Sequence, residues 1–190
     1  MKTQKEPIES KTERLDKIFK AHFADDSMDY KFIDPQKIIV AQWVRMKCLF
    51  GCGEYGKNAC CPPNVPSILE CERFFREYSS AVIFHFKKTV DKPEDRFKWT
   101  REVNLKLSKL EREVFISGFE RAFMLFMDSC SFCEECTGKR ENCKQPRISR
   151  PGPEAMGVDV YSTVRQFGFH IEVRSDFSQQ MDRYAFFMVE

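Results

Sequence analysis

Nine cysteines in 190 residues fall into two tight groups, and that spacing limits what the chain can build more than any other feature. Cys48, Cys52, Cys60, Cys61 and Cys71 form the first group, and Cys130, Cys133, Cys136 and Cys143 the second. An odd count and an N-terminus without the apolar core of a signal peptide argue against a disulfide framework. The chain is read as cytoplasmic, where thiols stay reduced and clustered cysteines serve as metal ligands or catalytic groups.

The rest of the composition describes an ordinary globular chain. Hydrophobic residues are 42% and charged residues 32%, a balance that does not suit disorder. The formal charge of +2 gives no basic surplus, so a nucleic-acid partner is not expected. Apolar runs such as Ala122–Met127 are far short of the ~20 residues that cross a bilayer, so no membrane partner is expected either.

Periodicity supplies the elements. Leu15, Ile18, Phe19, His22 and Phe23 fall at helical spacing. Lys37–Val44 and Ala81–Phe86 are β-branched or aromatic runs that predict buried strands. Ser67 with Glu70 three residues on predicts a capping box and a helix to about Tyr78. Val103, Leu107, Leu110 and Val114 stripe one face of a long helix that Ser117-Gly118 ends. Arg121–Met127 predicts a third strand, and His170–Arg174 and Tyr184–Val189 two closing ones. Between these last runs, Asp159 and Gly168 bracket a short helix over residues 160–167.

Strand alternating with helix predicts an α/β fold: a central mixed, largely parallel sheet of about five strands flanked by helices. Two cysteine-rich loops would then lie at its carboxyl edge, where such sheets bind ligands. The expected organisation is one iron–sulfur or metal-binding domain over residues 1–190, with residues 1–30 an N-terminal helical extension.

The second group carries the sharper chemistry. Cys130-x2-Cys133-x2-Cys136 with Cys143 beyond can curl around a cube of iron and sulfide, one thiolate per iron. Four thiolates also suit tetrahedral zinc, although zinc sites more commonly use two separated C-x2-C pairs. A [4Fe–4S] cluster on Cys130, Cys133, Cys136 and Cys143 is therefore expected, with zinc as the alternative. Lys139, Arg140, Lys144, Arg147 and Arg150 surround this loop and would offset cluster charge or guide an acidic redox partner.

The first group ends in Cys61-Pro62-Pro63 and is broken by Gly51, Gly53 and Gly56, which let a backbone approach a compact ligand. Cys48, Cys52 and Cys61 are the expected ligands of a second centre. Its fourth ligand is open among Cys60, Cys71, His85 and none. Three ligands would leave an iron open to substrate; four would make a second electron carrier.

The run Arg45-x2-Cys48-x3-Cys52-x2-Tyr55-Gly56-x4-Cys61-Pro62-Pro63 resembles the opening motif of a cysteine-rich "predicted metal-binding protein" family of mainly anaerobic bacteria and archaea. Its second motif is similar to the stretch from Cys130 through Cys143, Pro146, Arg150-Pro151, Glu154 and Gly157 to Asp159-Val160. Together they cover roughly Ile38 to Phe169, with Cys60 added to the pattern. The resemblance implies metal binding and anaerobic life, and assigns no catalytic residue.

Walker, dinucleotide-fingerprint, HExxH and GxSxG motifs are absent from the sequence. Cys48-x3-Cys52 lacks the third cysteine of a radical-SAM start, because position 55 is Tyr55. Three functions follow as expectations. The first is an iron–sulfur protein passing electrons to a redox partner protein in anaerobic metabolism. The others are an iron–sulfur enzyme with an open iron at Cys48, Cys52 and Cys61, and a zinc-stabilised binding module.

Overall fold

A computed structural model describes residues 10–23, 28–176 and 178–190. Of the N-terminal extension expected over residues 1–30, residues 1–9 and 24–27 lie outside the described ones. Helix α1 (Lys11–His22) starts at a capping box formed by Ser10 and Glu13. Strand β1 (Met28–Ile33) follows, then α2 (Gln42–Gly51), α3 (Ile68–Arg76), β2 (Ala81–Lys88), α4 (Asp95–Ile116), β3 (Phe123–Leu125), α5 (Val160–Gln166) and β4 (Met181–Met188). Short 3-10 turns cover Pro35–Lys37 and Arg140–Asn142.

The sheet corrects the expected fold class. It has four strands in the order β1-β2-β4-β3, and every neighbouring pair is antiparallel, in place of a largely parallel sheet of about five. The physical source of the misreading is burial on both faces. Val82, Phe84, Ala185 and Phe187 join one core with Leu15 and Phe19 of α1 and Leu107, Leu110 and Val114 of α4. Ala81, Ile83, Phe186 and Met188 join another with Cys71 and Phe75 of α3 and Val160 and Val164 of α5. A strand covered on both sides reads as one continuous apolar run, which is the usual mark of a parallel sheet. Here β4 instead enters between β2 and β3 and pairs antiparallel with each.

Two predicted strands are absent from their places. Of Lys37–Val44, only Val40 makes a β-bridge, to Val158, and the chain enters α2 at Gln42. The β-branched run is too short to cover another strand before Gln42-Trp43-Val44-Arg45-Met46-Lys47 takes helical form, with Val44 buried and Trp43 exposed. His170–Arg174 has no strand conformation. A strand not foreseen, β1, supplies the edge, and its alternating burial reflects a period of two.

The helix boundaries follow local chemistry. Ser67 and Glu70 form both bonds of the capping box of α3, and Asp159 caps α5 by accepting from the Ser162 N–H at 3.0 Å. Among the described residues no helix is long and apolar enough to cross a membrane.

Candidate metal centre

The two cysteine groups come from different parts of the fold and meet in space. Cys48, Cys52, Cys60 and Cys61 of the first lie at the end of α2 and in the loop behind it, with Cys71 apart in α3; the second follows β3. Inside the first loop, the Gly56 N–H donates to the Pro62 carbonyl at 2.9 Å and closes the turn around Cys61. Gly56 has φ of 72°, a conformation that glycine adopts without a steric cost.

Two asparagines fasten the loops together. Asn58 is buried; its Nδ2 donates to the Cys130 carbonyl at 2.7 Å while its Oδ1 accepts from the Cys60 N–H at 3.0 Å. Asn64 Nδ2 donates to the Gly138 carbonyl at 2.8 Å and to the Asn58 carbonyl at 3.2 Å. Neither was singled out by sequence reasoning, because an asparagine in a glycine-rich loop reads only as a turn residue.

Cys48, Cys52 and Cys61 line one cavity of about 390 Å³, together with Glu54, Tyr55, Arg96, Asp128 and Glu154. Burial, and after it Cys52, raises the Cys48 thiol above its ordinary range. Burial also pushes the Cys61 thiol up to about 12, with Glu54 and Cys52 adding to the effect. Burial thus favours the neutral thiol at Cys48 and Cys61, and a bound cation would reverse this by stabilising thiolates.

None of the candidate fourth ligands reaches this set. Cys71 is fully buried in the core, with its thiol 3.5 Å from the Pro66 carbonyl and 3.9 Å from Met156 Sδ. His85 is buried on β2, hydrogen-bonded through Nε2 to Asp182 at 2.7 Å and stacked on Tyr184. Cys60 faces the other way.

Opposite the three thiols, Arg96 forks onto both carboxylate oxygens of Asp128 through Nε and a terminal nitrogen. Asp128 has φ of 56°, the left-handed region that a non-glycine residue seldom occupies. Arg183 Nε lies 3.6 Å from the same carboxylate. Glu154 sits in a turn and lines the cavity, where its residue keeps access to solvent although crowding by the surrounding atoms raises its carboxyl above the usual carboxylate range. Spacing alone did not bring Arg96 and Asp128 forward, since neither belongs to a cysteine motif.

The second group gathers around Ser149 and Arg140. Ser149 Oγ lies 3.4 Å from Cys143 Sγ and accepts from Arg140 at 2.6 Å, and Arg140 also donates to Cys60 Sγ at 3.8 Å. The Cys60 and Cys130 thiols are neighbours, and their interaction lowers Cys60 and raises Cys130. The backbone N–H of Ala59 donates to Cys136 Sγ at 3.3 Å. Cys133 is half-buried and makes none of these contacts. Arg150, expected near the loop's charge, is instead paired with the buried Glu111 at 2.9 Å.

All nine cysteines are free thiols. Among the described residues, no three His, Cys, Asp or Glu side chains are drawn together closely enough to hold a single ion. The donor set nevertheless suits a thiophilic group: seven or more thiols on two facing loops, with N–H and guanidinium donors on sulfur. A cluster with an iron at each corner also needs its thiolates farther apart than one ion does.

A two-layered helix cover over an antiparallel sheet, carrying paired cysteine loops at one end, defines a cysteine-rich metal-binding domain. The chain belongs to the family described as Predicted metal-binding protein (DUF2284), whose model matches residues 31–189. No curated protein and no solved structure matches it.

Proposed function

We propose that this metal-binding domain is an iron–sulfur protein that passes electrons to or from a redox partner. The observation that carries the reading is the donation of hydrogen bonds to cysteine sulfur from a facing loop, by the Ala59 N–H to Cys136 and by Arg140 to Cys60. Such donors tune the potential of a cluster. When bound, a [4Fe–4S] group would supply reversible one-electron chemistry; thiolates of the Cys130–Cys143 loop would hold it. Phe132 and Phe126 pack edge to face beside this loop with centroids 5.5 Å apart and keep water from one side of it.

Partner recognition follows from what the cations are doing. Arg140 is held by the Ser149 hydroxyl and the Pro146 carbonyl, and Arg150 by the Glu111 carboxylate. Lys139, Lys144 and Arg147 remain exposed beside the loop, and they form the patch that an acidic redox protein would meet.

Oxygen-free purification of the full chain tests this. The reading expects brown protein with equimolar iron and acid-labile sulfide, and a visible band that dithionite bleaches. Colourless protein holding stoichiometric zinc would contradict it.

One observation favours a second reading for the first centre. Three thiols face the cavity and no fourth cysteine or histidine joins them. A cluster there would keep one iron accessible, beside the Arg96–Asp128 pair and Glu154, as in an enzyme. A shift of its electron paramagnetic resonance signal on adding 2-mercaptoethanol is expected under this reading; an unchanged signal would leave both centres as carriers.

A further inference from the structure

Cys60 stands one peptide bond from a predicted ligand of the first centre, and its surroundings belong entirely to the second. Its residue is 4% exposed. Its thiol lies beside Cys130 and takes a hydrogen bond from Arg140 at 3.8 Å, and Arg140 is in turn held by Ser149 at 2.6 Å and the Pro146 carbonyl at 2.9 Å. The preceding N–H, that of Ala59, is bonded to Cys136 Sγ. Three cysteines of the second set are therefore in touch with residues 59–60 or with Ser149 beside them.

From this geometry we infer that Cys60 is a thiolate donor of the second centre, resting on the iron–sulfur reading above. The evenly spaced Cys130, Cys133 and Cys136 occupy three corners, as the C-x2-C-x2-C run does in ferredoxins, where the fourth donor is supplied from outside the run. Two thiols compete for that fourth place. Cys143 faces the Ser149 hydroxyl at 3.4 Å from a partly exposed position, whereas Cys60 is buried beside Cys130, takes the Arg140 guanidinium on its sulfur and adjoins the Ala59 N–H that bonds Cys136 Sγ. Cys60 takes the corner and Cys143 is the thiol left over. Arg140 positions it: a guanidinium donor on sulfur offsets negative charge and fixes the side chain's direction.

The test reconstitutes the full chain with iron and sulfide under nitrogen and compares wild type, Cys60→Ser, Cys61→Ser and Cys143→Ser by iron content and electron paramagnetic resonance. Cys60→Ser and Cys61→Ser each lose about half of the iron, and each loses a different reduced signal; Cys143→Ser keeps both. The half of the iron that remains in Cys60→Ser reports that the variant is folded. Cys60→Asp, with an oxygen donor in place of sulfur, regains the lost iron with a shifted signal. Unchanged iron and spectra in Cys60→Ser, the same signal lost from Cys60→Ser and Cys61→Ser, or loss in Cys143→Ser alone would overturn the assignment. Failure of wild type itself to take up iron overturns the iron–sulfur reading instead. Cobalt(II) titration then decides for Cys60, whose loss must weaken the thiolate-to-cobalt absorption band; an unaltered band rejects it.

Discussion

Cys60 and Cys61 share a peptide bond and face different sites: the Cys60 thiol lies against Cys130 and Arg140, while Cys61 lines the cavity with Cys48 and Cys52. Neighbouring side chains on an extended or turning backbone point apart, so one dipeptide can serve two centres without either loop moving.

The side of the cavity formed by Asp128 depends on close backbone contact at Gly152. A Cβ there would meet the Asp128 carbonyl oxygen at 2.7 Å and the Phe126 carbonyl oxygen at 3.2 Å, both backbone atoms. Gly152→Ala is expected to cost about 1–3 kcal/mol in urea unfolding, as overpacking does. It should also lower the iron retained at the cavity centre, because Asp128 and Gly152 both line it.

Sheet burial sets the stability of the platform. Phe84 is fully buried and packs on Phe19 and Phe187, with ring centroids 5.0 and 6.3 Å away. Phe84→Ala is expected to lose about 3–5 kcal/mol in denaturant titration. Phe97 is 58% exposed, and Phe97→Ala should change stability by no more than about 0.5 kcal/mol.

Acid sensitivity has an identifiable contributor. Burial holds His85 below the ordinary histidine range, although Asp182 opposes the shift. Its folded-state pKa therefore lies under the unfolded value of about 6.5, so the unfolded chain takes up the proton first as pH falls. Stability from this site is full above that value and is lost progressively below it. Thermal midpoints measured from pH 8 downward should fall below about pH 6.5 in wild type. The decline should be shallower in His85→Gln, which has no proton to gain.

Reversing the exposed cations tests the partner surface. Lys139→Glu, Lys144→Glu and Arg147→Glu combined should slow electron exchange with a small acidic redox protein by roughly tenfold or more at low salt. The difference between variant and wild type should shrink as salt is raised, by stopped-flow absorbance. Iron content should be unchanged.

Legibility in the sequence followed how local each signal was. The capping boxes at Ser10 and Ser67 and the Asp159 cap are decided within four residues, and the Ser67 and Asp159 signals marked their helices. The four-residue stripe from Val103 to Val114 likewise marked α4. Strand direction is not local. Phe186 and Phe187 are buried on opposite faces of β4, so no alternation showed that the sheet was antiparallel. The cysteine groups were visible as spacing, but which thiol faces which site depends on contacts across the fold, such as Asn58 to Cys130. The Arg96–Asp128 pair joins α4 to the residues after β3 and carries no signature of its own.

The most direct test is the Mössbauer spectrum of the full chain reconstituted with ⁵⁷Fe and sulfide in the absence of oxygen. The account predicts cubane-type iron in two populations that respond separately to Cys60→Ser and Cys61→Ser. A spectrum of isolated ferrous tetrathiolate, or protein that takes up no iron, would contradict it.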